Sequence, residues 1–262
     1  LTPLTGGYRR IPVMQIGADV WCDTAIIAQK LEELAPEPTM YPQGQVGAAE
    51  ILANWADHWL FLATVPPALV KLIPVLPAEF MTDRAALSPG FTTENVMASL
   101  PDAKSRLVVA FEWLEAQLGG RQFLLGDAPG LADAAVFHPL WFLRNDPESF
   151  AGVERRPALR AWFERIEGLG VGSRSDLSAD EAIAIARAAE PATSPRADGT
   201  DPDGITPGEA IVVSADDYGS DPVSGEAAVV TAQEIAVRRR DPQVGDVVVH
   251  FPRAGYRVRR AH

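Results

Sequence analysis

The spacing of apolar and polar positions changes character three times along the chain. Near the start, Ile11–Ile16 (IPVMQI) and Asp19–Cys22 (DVWC), joined at Gly17 and Ala18, predict an antiparallel strand pair. Directly after them, Ala25–Leu34 sets Ile26, Ile27, Leu31 and Leu34 at helical spacing, and Asp23 stands where that helix should begin. Pro36, Pro38 and Pro42 then mark a connector.

From Ala48 to about Gly170 the period is helical almost throughout. Trp55, Trp59 and Leu62 share one face of a helix that Pro66 and Pro67 should end or bend. Leu107, Phe111, Leu114 and Leu118 line a second helix, closed by Gly119 and Gly120. Leu131–Leu143 is a third, with a kink expected at Pro139. A fourth starts at Pro157 and turns Leu159, Trp162, Phe163 and Ile166 inward. Ser178–Glu190 reads as a short helix with a capping box of Ser178 and Glu181.

A Pro-, Gly- and Asp-rich linker, Pro191–Gly208, separates this from five short strands: Ala210–Ser214, Ala227–Thr231, Ile235–Arg239, Val247–Phe251 and Tyr256–Arg259. Their spacing predicts a small barrel or rolled sheet.

Composition narrows the function classes. In 262 residues, 47% are apolar, enough for two cores. A net charge of −12 argues against nucleic acid and anionic membrane as partners. No apolar run reaches the roughly 18 residues of a membrane span, and no signal peptide is expected. Cys22 is the one cysteine, which excludes an internal disulfide, disfavours a zinc site and suits a reducing cytoplasm. The four histidines lack paired metal-ligand spacing, so no metal is expected. From Arg238 onward seven arginines face only two acids, Asp241 and Asp246, which reads as a basic strand edge in solvent.

Candidate chemistry gathers at the first strand pair. Pro12 at a strand entrance is either an edge proline or a cis-proline turn that leaves the backbone of Val13 free for a peptide-like ligand. Asp23 is either a plain N-cap, stabilising by about 1 kcal/mol, or a carboxylate offered to an α-ammonium. Thr24 offers a hydroxyl and an N–H at the positive end of a helix, suited to a carboxylate. Cys22 beside the charge of Asp23 reads as structural.

Taken together, Gly6–Leu34 resembles the glutathione-transferase pattern of a basic or polar residue two before a cis-proline, a strand pair, and Glu-Ser opening a helix. Far downstream, Phe123–Leu143 resembles that family's capping motif, with Asp133 in place and Gly130 substituting for the hydroxyl residue, so that half of the reciprocal cap is lost. The resemblance implies a glutathione site built from Arg10 (glycine carboxylate), Pro12 and Val13 (cysteinyl backbone), and Asp23 and Thr24 (γ-glutamyl end). It also implies an electrophile site on the helical domain, with Trp55, His58 and Trp59 as candidates. Aromatic residues at this spacing are more often core, and His138 is expected to be a satisfied core histidine.

The expected architecture is α/β plus all-α plus a small β part. A partial thioredoxin-like domain covers 1–37, a helical glutathione-transferase C-terminal domain 45–171, a helix and linker 172–207, and an extra β-barrel-like module 208–262. The family's first β-α-β unit, which carries the thiol-activating residue, needs some 30 residues. It is expected to be absent here, so the chain begins inside a domain and the catalytic residue is unknown. The implied activity is glutathione conjugation or thiol transfer, with glutathione as cosubstrate and a small electrophile, by a cytoplasmic homodimer with a detoxification role. The competing readings are a non-catalytic binding or scaffold protein, or a form inactive for want of its N-terminal segment. The acidic run Ala215–Gly225 lacks calcium-loop spacing and reads as turn chemistry. Tyr218, Phe251 and Tyr256 are left between lining the small core and facing a partner.

Overall fold

The computed structural model describes residues 1–88 and 90–261. It divides into two compact units, Leu1–Glu33 with Arg174–His262, and Leu34–Ser173.

The first unit is built on one eight-stranded sheet. A short helix α1 (Thr2–Thr5) leads to β1 (Val13–Ile16), β2 (Asp19–Cys22) and α2 (Thr24–Leu34). After α10 (Ala179–Ala188) come β3 (Arg196–Ala197), β4 (Ala210–Ala215), β5 (Val223–Val230), β6 (Glu234–Asp241), β7 (Gly245–Pro252) and β8 (Tyr256–Arg260). The strand order is β1-β2-β7-β6-β5-β4-β8, with β3 beside β5.

The sequence pattern set the tail strands apart as a module of their own. The structure instead continues the first hairpin into them, through a parallel pairing of β2 with β7 that sets Val20 opposite Val249. Both strands are buried along most of their length, which is why their apolar residues run together instead of alternating.

The sheet has to roll. β7 and β8 stand four strand spacings apart, about 19 Å if flat. Four residues from Pro252 to Tyr256 span at most about 14 Å. Gly225 permits a close step between β5 and β6, since a Cβ there would lie 2.2 Å from the carbonyl oxygen of Arg238. The inner face buries Val20, Cys22, Ile211, Val213, Val237, Val249 and Phe251, and Leu4 of α1 and Ala186 of α10 close over it. The capping box of α10 forms: the Ser178 hydroxyl accepts from Glu181 N–H at 3.2 Å, and Glu181 accepts from Ser178 N–H at 2.8 Å.

The tail arginines do not form a bare basic edge. Arg239 bonds the carbonyl of Pro3, Arg253 pairs with Asp201, Arg257 bonds the carbonyl of Asp216, and Arg260 pairs with Glu209.

The second unit is helical: α3 (Val46–Trp55), α4 (Phe61–Leu72), α5 (Ala78–Leu87), α6 (Thr93–Gln117), α7 (Leu131–Leu143), α8 (Pro147–Glu154) and α9 (Pro157–Glu167). A single π turn, Ala56–Leu60, joins α3 to α4. Pro66 and Pro67 do not end this helix; α4 runs through both, and both are buried, so packing outweighs the missing hydrogen bonds.

The run Val46–Val75 is long and apolar enough to cross a membrane by length and composition, with a mean hydropathy of 1.4 over an 18-residue window within it. That corrects the expectation that no such run exists. Here Ala49, Ala53, Leu60, Ala63 and Leu69 are buried, and α3 and α4 pack on α6 and α7.

Asp133 organises the core of this unit. Its carboxylate accepts from Leu124 N–H at 2.9 Å, from Gly130 N–H at 3.0 Å and from the Trp162 indole at 2.7 Å. Burial pushes its carboxyl up from the usual range, against the pull of those three donors. Gly130 supplies no side chain for the cap, yet its N–H is still held.

Candidate functional site

The first hairpin brings its candidate residues to one end. Val13 lies opposite Cys22, so Pro12 and Asp23 are the next residues out on either strand. The Ile11–Pro12 bond is cis. β1 stands last in the strand order, with a strand partner on one side only among the described residues. Val13 is half-buried and packs on the sheet core, while Ile11 is exposed.

Asp23 has a φ of 94°, in the left-handed region that residues with a Cβ seldom occupy. Its Oδ1 accepts from Ala25 N–H at 3.0 Å, which makes it the N-cap of α2. Thr24, the first residue of that helix, is exposed. The junction therefore holds an anion beside a helix N-terminus, the two features that a side-by-side ammonium and carboxylate need.

Residues from the tail complete this place. The Tyr256 hydroxyl donates to Asp23 Oδ2 at 3.0 Å. Its ring packs 5.2 Å from Phe251 and 6.4 Å from Tyr8. Burial raises both tyrosine hydroxyls above their ordinary range, and the negative charge of Asp23 adds to the shift.

Arg10 is also engaged. Both of its terminal nitrogens bond the carboxylate of Asp217, Nη1 to Oδ2 at 3.3 Å, and its guanidinium lies 3.9 Å from the centre of the Tyr218 ring. Arg9 reaches Asp221 at 3.4 Å. Burial lowers the Arg10 pKa, and the bond to Asp217 more than restores it. Cys22 is fully buried, and burial together with the Asp23 charge pushes its thiol well up, so it is no nucleophile.

The electrophile candidates lie on the helical unit. Trp55 and Trp59 stack at 5.7 Å, and Trp113 of α6, which the sequence pattern did not single out, lies 5.7 Å from Trp59 and 6.3 Å from Trp55. Neither Trp55 nor Trp59 is core; each is half-buried, and Trp113 is exposed. His58 is exposed and its Nδ1 lies 2.9 Å from the carbonyl of Asn54. His138, expected in the core, has a half-exposed side chain 4.0 Å from Asp57. The helix turns that ring to the surface while Pro139 and Leu140 take the buried positions.

A second polar centre was not visible in the sequence. His250 is 2% exposed. Its Nδ1 lies 2.6 Å from Glu234 Oε1, its Nε2 lies 3.3 Å from Asp19 Oδ1 and from the Thr193 hydroxyl, and its ring stacks on Trp21 at 4.5 Å. Burial pushes the imidazole pKa down, but bonds to the two carboxylates outweigh it and leave the pKa raised. Among the described residues, no group of three or more His, Cys, Asp or Glu is placed to hold a metal ion.

A structure of a GST-like protein from Pseudomonas syringae is 39% identical to this chain, covers 99% of it and 84% of that chain, and superposes with a TM-score of 0.80. The chain belongs to the GST-like family. A family model described as the glutathione S-transferase C-terminal domain matches residues 97–165, within the helical unit. More distant GST-like structures include glutathione transferase F7 from Populus trichocarpa, at 19% identity over 60% of this chain and 70% of that chain with a TM-score of 0.44. A β-etherase from Sphingobium sp. is 20% identical over 63% of this chain and 76% of that one, with a TM-score of 0.49. No curated protein matches the chain by sequence. Membership of the GST-like family agrees with the resemblance carried by Gly6–Leu34 and Phe123–Leu143.

Proposed function

We propose that this GST-like protein binds glutathione at the end of the β1–β2 hairpin and joins it, through its thiolate sulfur, to a small electrophile. One observation carries the reading: Val13 on an open strand edge, the Asp23 carboxylate and the N-terminus of α2 lie at one end of a single hairpin. The cysteinyl backbone would pair with Val13. The γ-glutamyl ammonium would meet Asp23, and its carboxylate the hydroxyl and N–H of Thr24. In this reading the hairpin and α2 are the second half of a thioredoxin-like domain.

The chemistry asks for a thiolate, and a nearby hydroxyl donor or helix N-terminus lowers a thiol pKa from about 8.5. The thiolate then attacks the electrophile and forms the thioether as the leaving group departs. No residue is assigned as the activator. Trp55, His58 and Trp59, all on the helical unit, stay the candidates for contact with the electrophile. A homodimer belongs to the same proposal, since Ile51, Leu62 and Trp113 leave apolar surface exposed on the helical unit, as do a cytoplasmic location and a role in detoxification.

A second reading, a non-catalytic binding or scaffold protein, draws support from the tail contacts, because Arg10 and Asp23 already have partners in Asp217 and Tyr256. Retention on glutathione-agarose tests the site. The protein should be retained and eluted by free glutathione, and Asp23→Ala should abolish retention. Retention unchanged in Asp23→Ala would overturn the assignment.

A further inference from the structure

Asp23 carries a charge that its own contacts do not balance. It is half-buried, and the two donors that hold its carboxylate, the N–H of Ala25 and the hydroxyl of Tyr256, are both neutral. Among the described residues no lysine, arginine or histidine pairs with it. Neutral donors orient a carboxylate but leave its charge in place, and away from bulk water that charge draws a cation more strongly. Tyr256, at the start of β8, sets its ring against Phe251 and Tyr8. Its hydroxyl proton is committed to Asp23, so in the bond it shares with Tyr8 the Tyr8 hydroxyl donates to the Tyr256 oxygen. A phenolic oxygen has two lone pairs, and one remains. That oxygen lies 3.0 Å from Asp23 Oδ2.

We propose that Tyr256 is a ligand-binding residue: its hydroxyl oxygen and the Asp23 carboxylate together receive the α-ammonium of the thiol peptide, so that the tail strand β8 builds part of the site. The inference rests on the glutathione reading above and deepens it, adding a residue from the far end of the chain to the hairpin. An ammonium has three N–H donors and can meet both oxygens at once, bringing to Asp23 the positive charge it lacks. Asp23 spends one lone pair on Ala25 N–H and one on Tyr256, and a carboxylate has others for an ammonium. With Oδ1 held by Ala25 and Oδ2 by Tyr256, the carboxylate cannot turn without losing one of them. The series from Tyr8 through Tyr256 to Asp23 aims each hydroxyl proton toward the carboxylate, and bonds aligned in this way strengthen one another.

Calorimetric titration of the whole protein with glutathione and with desamino-glutathione, which lacks only the amino group, tests this. Tyr256→Phe keeps the ring against Phe251 and Tyr8 and removes one oxygen. It should weaken glutathione by about tenfold, the worth of a hydrogen bond to a charged group, and leave desamino-glutathione within about twofold of its wild-type affinity. An unchanged affinity for glutathione overturns the proposal, and so does an equal loss for both ligands, which is what loosened packing would produce. Should the desamino form bind too weakly to titrate, amide exchange across β1, β2 and α2 takes its place. Exchange as slow as in the wild type, alongside the loss of glutathione affinity, supports the contact; faster exchange overturns it. A wild type that fails to bind glutathione, or that binds it equally well after Asp23→Ala, overturns the glutathione reading itself. Loss in Asp23→Ala without loss in Tyr256→Phe overturns only the role of Tyr256.

Discussion

Replacing His250 with alanine removes a group that ties three strands together. Asp19 belongs to β2, Glu234 opens β6 and His250 lies in β7, so the imidazole joins the hairpin to the tail strands. A carboxylate at each ring nitrogen favours the protonated ring, in which both nitrogens donate, and this is the cause of the raised pKa. Breaking a buried ion pair by deleting one partner costs about 3–5 kcal/mol. Here the carboxylates are not wholly orphaned: Asp19 keeps the N–H of Ala192 at 2.7 Å, and Glu234 keeps Arg196. That places the loss near the lower end, at about 3 kcal/mol, even with the stacking on Trp21 included. For a unit of this size it corresponds to a fall of about 10 °C in melting temperature.

The dependence on pH has a definite sign. The His250 pKa is raised in the folded state. Its stabilisation is therefore complete below the unfolded value of about 6.5 and is lost as pH rises through the folded value. Asp19 acts on the other side. Burial raises its pKa, but bonds from His250, Thr193 and Ala192 outweigh this and lower it, so its contribution is present above about pH 3.9 and lost as pH falls. The difference between wild type and His250→Ala should be widest just below about pH 6.5 and shrink as pH rises from there through the folded value, because only the wild type has an imidazolium to lose. Urea titrations read by amide exchange of peptides from β2, β6 and β7 report this unit separately from the helical one. A difference under about 1 kcal/mol, or one that stays constant over that interval, would refute the charged-histidine account.

Asp133→Ala strands the Leu124, Gly130 and Trp162 donors in the helical unit and should cost about 3–5 kcal/mol, read from the urea midpoint of peptides in α7 and α9. Gly225→Ala drives a Cβ to within 2.2 Å of a backbone oxygen on β6, which cannot step aside cheaply; a loss of about 1–3 kcal/mol or more is expected in thermal melts of the first unit. Glu115 of α6 accepts from Ala158 N–H at 3.1 Å and Leu159 N–H at 2.8 Å, capping α9 from another helix. Glu115→Ala should destabilise by about 1–2 kcal/mol and speed exchange in the first turn of α9, and unchanged exchange there would contradict the cap.

What the sequence disclosed and what it hid follow from the range of the forces involved. Leu107, Phe111, Leu114 and Leu118 announced a buried helix face because burial at helical period is a local signal, and Ser178 with Glu181 announced a cap for the same reason. Asp23 was legible as the start of α2, since a cap acts two residues away. The parallel pairing of β2 with β7 had no such signal, because nothing in Asp19–Cys22 names its partner; only the unbroken apolar run of Val247, Val248 and Val249 hinted that both faces of β7 are covered.

The candidate site divides along the same line. Arg10 could be read as a cation for a ligand's carboxylate because the residue that holds it lies 207 positions away. The run around Asp217 was fully accounted for as turn chemistry, and that account is physically sufficient, so it left nothing over to betray a second role. A residue already explained by its neighbours in sequence is where a long-range contact hides best. Arg10 with Asp217, and Asp23 with Tyr256, are both of this kind. In each, a group with an adequate local explanation acquires its chemical meaning from a strand or loop that the sheet alone brings to it.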